Sequence, residues 1–456
     1  MTAQSLEVER FRQALQIPTL TPGEGVKADN NLKAFQNFLL TSYPEFCKVA
    51  EVQILDDFGL WFCWRAKNPE KLPVLFMAHY DVVPVEAEKW SFPPFSAKIS
   101  YDEATGQDTV YARGTLDTKN TLIGLMEAVE ALATKGFLPR RDIYLAFGGD
   151  EERNGIRGAR NIARELESRG IRFEWVLDEG SVVADGSLKA ARSPLGLVAV
   201  EEKGYMNLVL SVAQAPGHSA RPPKVQAAAI LGKALERVAR LRARPRLIPS
   251  VDGFFRGLAP HVDKLTGLLL SQPRLFWPII HRAMAQNPAV SAMFRTTTAL
   301  TTLEGSSAEN VLPSEVRGVV NCRILPGDTT EGTLERVRRL VADPRVRVEY
   351  HPDFLVDEPV ELHPDYVGDK IENLPGWKPL KATIEEVFPG CPVIPYLNTA
   401  QTDSRHYARL APSILRFAPV KLTPEEIDTI HGHDERISVE NFLTAIRFFT
   451  RLLEEL

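Results

Sequence analysis

Residues 74–85 read VLFMAHYDVVPV, residues 111–120 read YARGTLDTKN and residues 147–152 read FGGDEE. The first opens on Val74-Leu75-Phe76-Met77-Ala78, apolar on both faces, as a strand buried in a helix-covered sheet must be. Asp142–Phe147 is a second such run and Phe173–Leu177 a third, with helical periodicity between them. Alternating buried strands and helices predict an α/β fold. Each run ends in acids or histidine: His79 and Asp81, then Asp150-Glu151-Glu152, then Asp178-Glu179-Gly180. Sites in open α/β sheets form at the carboxyl ends of strands. Histidine and carboxylate are what a hydrolytic zinc ion takes as ligands.

Each motif has a plainer reading when taken alone. His79 and Asp81 lie two apart, so in extended chain they point the same way. One can bind metal while the other hydrogen-bonds the second ring nitrogen, or they can form a simple capped turn. Asp117 precedes a helix predicted over Thr121–Ala133 and closed by Gly136, where an acid often caps the N-terminus. Glu151 and Glu152 could be a solvated acidic turn. The repetition of acidic strand ends along one chain favours a metal site over three unrelated turns.

The chain has 456 residues, more than one core accommodates, so two domains are expected. It is 44% apolar and 25% charged, with a net charge of −5. That balance, without a long basic run, argues against nucleic acid or an anionic membrane as the main partner. Cys47, Cys63, Cys322 and Cys391 are scattered, which predicts neither a disulfide framework nor a cysteine zinc site. The start, MTAQSLEVERFRQ, has no apolar signal core, and no run could span a bilayer, so a cytoplasmic location is expected.

Around this centre, helices are predicted over 5–16 and 31–40, and a hairpin over 49–66 turning at Asp56, Asp57 and Gly59. After Lys203-Gly204 the pattern changes: Met206, Leu208, Leu210 and Val212 alternate with polar residues. Helices over 225–242 and 332–342 and strands over 316–325 and 346–350 complete a small α+β unit. The division predicted is 1–203 catalytic, 204–356 lid, and 357–456 catalytic again. Within the lid, 245–300 is a strongly apolar helical insertion that either packs internally, forms a dimer contact, or walls an apolar substrate. The last helix is predicted over 439–454 with Ser438 as its N-cap.

In order along the chain, MAHYDVVPV, RGTLDTKN, GGDEE, LDEG, EEKG, GHSARPP, ENVLP, NCRILPGDT, TDSRH and IHGHDERIS resemble the motifs of one zinc metallopeptidase family. It includes aminoacylase, carboxypeptidase S, acetylornithine deacetylase and succinyl-diaminopimelate desuccinylase. The apolar insertion, RTTTALT and the IHG ending resemble its carboxypeptidase S and N-fatty-acyl-amino-acid hydrolase branch. The resemblance implies a mixed-sheet zinc-exopeptidase catalytic domain with helices on both faces, plus an inserted α+β lid/dimerisation domain. It implies two Zn2+ ions, replaceable by Co2+ or Mn2+, bridged by Asp117. His79 and Asp178 would complete one ion, and Glu152 and His431 the other. Asp81 would orient His79, and Glu151 would be the general base. His218 would stabilise the oxyanion, often across a dimer interface, while Asn310, Arg323, Ser404 and Arg405 would hold the substrate. Thr118 and Asp434 depart from the usual residues, and His433 competes with His431, which the flanking IHG and ERIS select. A cis peptide after Asp117 is a further implication.

The function implied is hydrolysis of an amide next to a free amino-acid carboxylate, as a carboxypeptidase or dipeptidase on small peptides. The alternative is an N-acyl-amino-acid amidohydrolase, including long acyl chains. A binding protein without catalysis is the remaining class. A homodimer through the lid is a further implication of the resemblance.

Overall fold

The computed structural model describes residues 5–21, 30–103, 105–188 and 190–456. A ten-stranded mixed sheet runs in the order 50–55, 59–64, 143–148, 74–79, 175–178, 414–416, 195–202, 183–184 and 421–422, with 393–398 pairing in parallel to 195–202. The expected hairpin is its edge pair, Ala50–Leu55 against Gly59–Trp64.

Every residue of Val74–His79, Ile143–Gly148 and Trp175–Asp178 is buried, as their uninterrupted apolar sequence requires. Alternate residues serve two layers. Val74, Phe76 and Ala78 join the core under the helices Lys119–Thr134 and Val439–Glu454. Leu75 and Met77 join Tyr144, Ile162 and Leu166 under the helix Ala159–Ser168. Fully burying such a side chain contributes roughly 1.5–3 kcal/mol. Ser438 Oγ accepts from Asn441 N, which caps the last helix where the sequence predicts.

Register then fixes the site. In the parallel pairs, His79 lies beside Gly148, and Phe76 beside Leu177. The three acidic strand ends therefore emerge at one edge. A separate three-stranded sheet pairs Tyr111 with Arg436, which brings the loop before Asp117 against the loop after His431.

The second sheet runs 297–304, 315–324, 204–213 and 347–350. Met206, Leu208, Leu210, Val320, Cys322 and Ile324 face the helices Ala227–Ala239 and Thr330–Val341. The opposite face is polar: Asn321 Nδ2 donates to Asn207 Oδ1 and Asn207 Nδ2 donates to the Tyr205 hydroxyl. Register pairs Tyr205 with Arg323 at the end nearest the large sheet.

The chain leaves the large sheet after Glu202 and returns to it at Val360, and these two passages touch. Glu202 pairs with Val360 and Tyr205 with Asp357. At Gly204 any Cβ would stand 2.5 Å from Asp357 O.

The apolar insertion forms four helices within 249–292. Its placement differs from the expectation of a lid element. The helix Pro249–Leu258 lies on the strand Val393–Asn398 of the large sheet, with Phe254 and Tyr396 centroids 5.9 Å apart. Gly253 and Gly257 make the close approach, since a Cβ on either would come within 2.6 Å of Pro395 or Ile394. Helical periodicity announces a buried face but not which sheet it is buried against.

Candidate active site

His79 ends its strand fully buried, with Nδ1 at 3.0 Å from Asp81 O and 3.3 Å from Asp81 Oδ1. Both atoms are acceptors, so Nδ1 carries the proton and Nε2 faces the cluster. Nε2 lies 2.9 Å from Asp117 Oδ1 and 3.1 Å from Glu179 Oε1. On the other side, His431 Nε2 lies 2.8 Å from Asp117 Oδ2 and 3.3 Å from Glu152 Oε1. Two groups thus share Asp117: His79, Asp117 and Glu179, and Asp117, Glu152 and His431, with the ligand atoms of each within 4.8 Å of one another. The peptide Asp117–Thr118 is cis.

Asp178 is not in the cluster, and this corrects the sequence reading. Its Oδ1 accepts from Glu179 N and its Oδ2 from Ser404 N, at 2.9 and 2.8 Å. Gly180, at φ 134°, turns the chain just beyond, and it is the Glu179 side chain that reaches His79. Adjacent residues leave a strand on opposite faces, so only one of the two carboxylates can point at the centre.

Asp81 does more than orient His79. Its two oxygens accept from Glu151 N and Glu152 N, at 3.0 and 3.2 Å, and Oδ2 also accepts from the Thr21 hydroxyl. One buried carboxylate therefore places the histidine and both glutamates.

Glu435 is a residue the sequence reading missed. Fully buried, it accepts from the backbone N–H groups of Gly114, Leu116 and Asp117 and from the Thr115 hydroxyl, and it pairs with Arg113 Nη1 at 2.6 Å. It holds the whole loop that presents Asp117. Its one sequence signal is an acid within IHGHDERIS, and its partners are more than 300 residues away.

The electrostatics describe a pocket built for cations. Burial, joined by neighbouring carboxylates, pushes the Glu151 carboxyl well above its ordinary range, raises Glu152, and lifts Glu179 to about 7. Burial would also raise Asp117, but hydrogen bonds from His431 and His79 hold it down. The same bonds to Asp117 and Glu152 raise His431 to about 10. Glu152 Oε1 is buried, with His431 Nε2 facing it at 3.3 Å. Imidazole and carboxylate donors in two groups around one shared aspartate fit a pair of divalent ions.

The expected substrate residues separate into three kinds. Arg323 lies over the Tyr205 ring at 4.7 Å, makes no ion pair among the described residues, and senses the charges of Arg405, Glu202 and Glu151. Arg405 is buried, with Nε 3.3 Å from Asp357 Oδ2. Ser404 faces inward: it is fully buried and its hydroxyl pairs with Thr402 Oγ1 at 2.6 Å, so it braces the loop that holds Asp178. His218 and Asn310 lie together on an exposed two-stranded ladder, Gly217–His218 against Val311–Leu312, where Asn310 O accepts from Ser219 N. Neither is bonded to the metal cluster among the described residues. Thr402 also joins a buried chain the sequence did not reveal, in which Arg416 Nε meets Glu202 Oε2 at 2.8 Å and Thr402 donates to the same oxygen.

Comparison with known proteins agrees with this geometry. Residues 75–455 match the model of Peptidase family M20/M25/M40. The chain belongs to this family. It is 35% identical to the N-fatty-acyl-amino acid synthase/hydrolase PM20D1 of Homo sapiens, over 98% of this chain and 87% of that protein. It is 32% identical to the probable carboxypeptidase S-like 2 of Dictyostelium discoideum, over 98% and 84%. Its fold resembles the M20 family metallo-carboxypeptidase Sso-CP2 of Sulfolobus solfataricus, with TM-score 0.71, 17% identity and 99% of each chain covered. The family member described here is an enzyme, a hydrolase of the metallopeptidase and amidohydrolase type.

Proposed function

We propose that this enzyme carries two zinc ions and hydrolyses the amide bond of N-acyl amino acids, whose freed nitrogen belongs to an amino acid with a free carboxylate. Asp117, common to both groups, would hold both ions, with His79 and Glu179 at one and Glu152 and His431 at the other. Such ions would supply Lewis-acid polarisation of the scissile carbonyl and would acidify the attacking water. Glu151 takes the proton of the attacking water and delivers it to the leaving nitrogen. It is suited to this because it is half-buried beside the cluster yet outside both ligand groups. Arg323 and Arg405 bind the substrate carboxylate, a task that suits a planar guanidinium.

The observation that carries the reading is the pair of three-residue groups sharing Asp117, with Arg323 and Arg405 in electrostatic reach of Glu151. The relatives named for N-fatty-acyl amino acids favour an acyl group on the amine side. Small dipeptides are the second reading, supported by the carboxypeptidase S-like relatives. We further propose that a second copy brings His218 and Asn310 to the site, because both project from an exposed ladder of their own chain.

The test is Glu151→Gln. Its expected behaviour is two equivalents of bound zinc with turnover lowered about 10²–10⁴-fold. Wild-type turnover in that variant rejects Glu151 as the base. Comparing dipeptides with N-acyl amino acids of rising chain length decides between the two substrate classes, and a kcat/KM that rises with acyl length supports the first.

A further inference from the structure

Helices Lys264–Ser271 and Pro273–Met284 are separated by a single residue, and each shows apolar residues on both sides. Inward, Leu270 and Ile280 are buried with Phe255, Leu258 and Val262. Outward, Leu265, Leu268, Leu275 and Ile279 are 71%, 62%, 72% and 55% exposed. The spacings 265/268 and 275/279 put each outward pair on one helix face. A contiguous exposed apolar patch rimmed by polar residues marks a surface that another body covers.

Charge identifies the occupant. Residues 241–300 contain eight lysines and arginines against two aspartates, net +6, within a chain whose net charge is −5. Asp252 is buried beside Arg256 and Arg274, and the exposed Asp263 caps its helix through Leu265 N and Thr266 N, so the cations outnumber the carboxylates at this surface. Lys264, Arg274 and Arg282 stand exposed on the same two helices, and Arg282, three residues after Ile279, shares its helix face. Two copies of so cationic a face would repel each other, whereas an anionic surface attracts it.

We propose that this helical face and its bordering arginines dock the enzyme onto an anionic phospholipid bilayer. The leucines and Ile279 enter the headgroup boundary, and the arginines and lysine face the lipid phosphates and carboxylates. Among the described residues no helix is long and apolar enough to cross a membrane, and the proposed contact is with one leaflet. The placement suits an acyl-bearing amphiphilic substrate, yet it stands apart from the chemistry above. Vesicle binding is read without turnover, so Glu151→Gln protein binds as the wild type does.

The test is co-sedimentation of the zinc-loaded enzyme with vesicles of phosphatidylcholine alone or with about a third phosphatidylserine. The expected result is binding to the anionic vesicles only, weakened at least about tenfold between roughly 0.1 and 0.5 M salt. Leu275→Asp/Ile279→Asp abolishes it while hydrolysis of a short-chain soluble substrate and the melting temperature stay unchanged. Lys264→Ala and Arg282→Ala each weaken it about fivefold. Failure to sediment with anionic vesicles, or equal binding by the aspartate variant, overturns the proposal. So does a concentration-dependent doubling of mass that the same variant removes, which assigns the face to a second copy.

Discussion

Asp178 and Glu179 are neighbours with opposite tasks. The Asp178 carboxylate accepts from two backbone N–H groups, Glu179 N and Ser404 N, and fixes the turn. Glu179 faces His79 at 3.1 Å. The two tasks predict different losses. In Asp178→Asn the new amide must offer an N–H where an N–H already points, which leaves one backbone donor unpaired and costs about 1–2 kcal/mol of stability. Both zinc equivalents remain. In Glu179→Ala the shell around His79 loses a charged donor, so about one equivalent of zinc is retained and turnover collapses. Metal analysis of the two purified variants, with thermal melting alongside, reads both effects. Loss of zinc from Asp178→Asn with full loading of Glu179→Ala would restore Asp178 as the ligand.

At the scale of elements, the loop Arg113–Asp117 owes its shape to Glu435, whose negative charge is matched by Arg113 in a fully buried pair. Removing one partner of such a pair costs about 3–5 kcal/mol, because the other charge is left buried alone. Glu435→Gln is therefore expected to destabilise by that order. It should also weaken zinc binding about 10–100-fold, because the amide keeps one acceptor oxygen but turns an NH2 toward N–H donors, which shifts the loop that presents Asp117. Adding Arg113→Met should restore much of the stability but not the zinc affinity, which separates the charge from the positioning. Equal zinc affinity in wild type and Glu435→Gln refutes the positioning role. This loop also marks where sequence reasoning stops. His79, Asp117, Glu151 and Glu152 were legible because buried strands announce themselves as apolar runs and their ends carry the motifs, whereas His431 came only with the resemblance of IHGHDERIS. Which of Asp178 and Glu179 faces inward depends on the turn at Gly180, and one-dimensional spacing does not record it. Glu435 was illegible because its partners come from a loop more than 300 residues earlier. The insertion was seen as helical and apolar, but its seat on the strand Val393–Asn398 depends on Gly253 and Gly257 meeting side chains with no local sequence signal.

At the scale of the whole molecule, the cluster belongs to the large sheet and Arg323 to the small one, so catalysis depends on how the two are held together. The junction is narrow. Lys203 N donates to Asn398 O, and Lys203 Nζ donates to Ala292 O and Arg295 O. Burial lowers that ammonium to about 7. Gly204 follows directly, and a methyl group there would meet Asp357 O at 2.5 Å, Pro359 N at 2.7 Å and Pro359 Cδ at 2.8 Å. The obstacles are backbone and a proline ring, so no side-chain rotation relieves the clash and the two passages must separate. The next residue is Tyr205, which carries Arg323 over its ring. Gly204→Ala is therefore expected to cost about 1–3 kcal/mol in stability and to move the guanidinium relative to Glu151. Zinc content stays at two equivalents, because the proposed ligands all lie outside the small sheet. KM for anionic substrates rises about tenfold or more, since a carboxylate clamp displaced by an ångström loses much of its hold. Gly232→Ala is the matched control: a Cβ there meets nothing within 4 Å, and the helix gains up to about 1 kcal/mol. An unchanged KM in Gly204→Ala, with stability lowered as expected, would show that the small sheet places Arg323 independently of this junction.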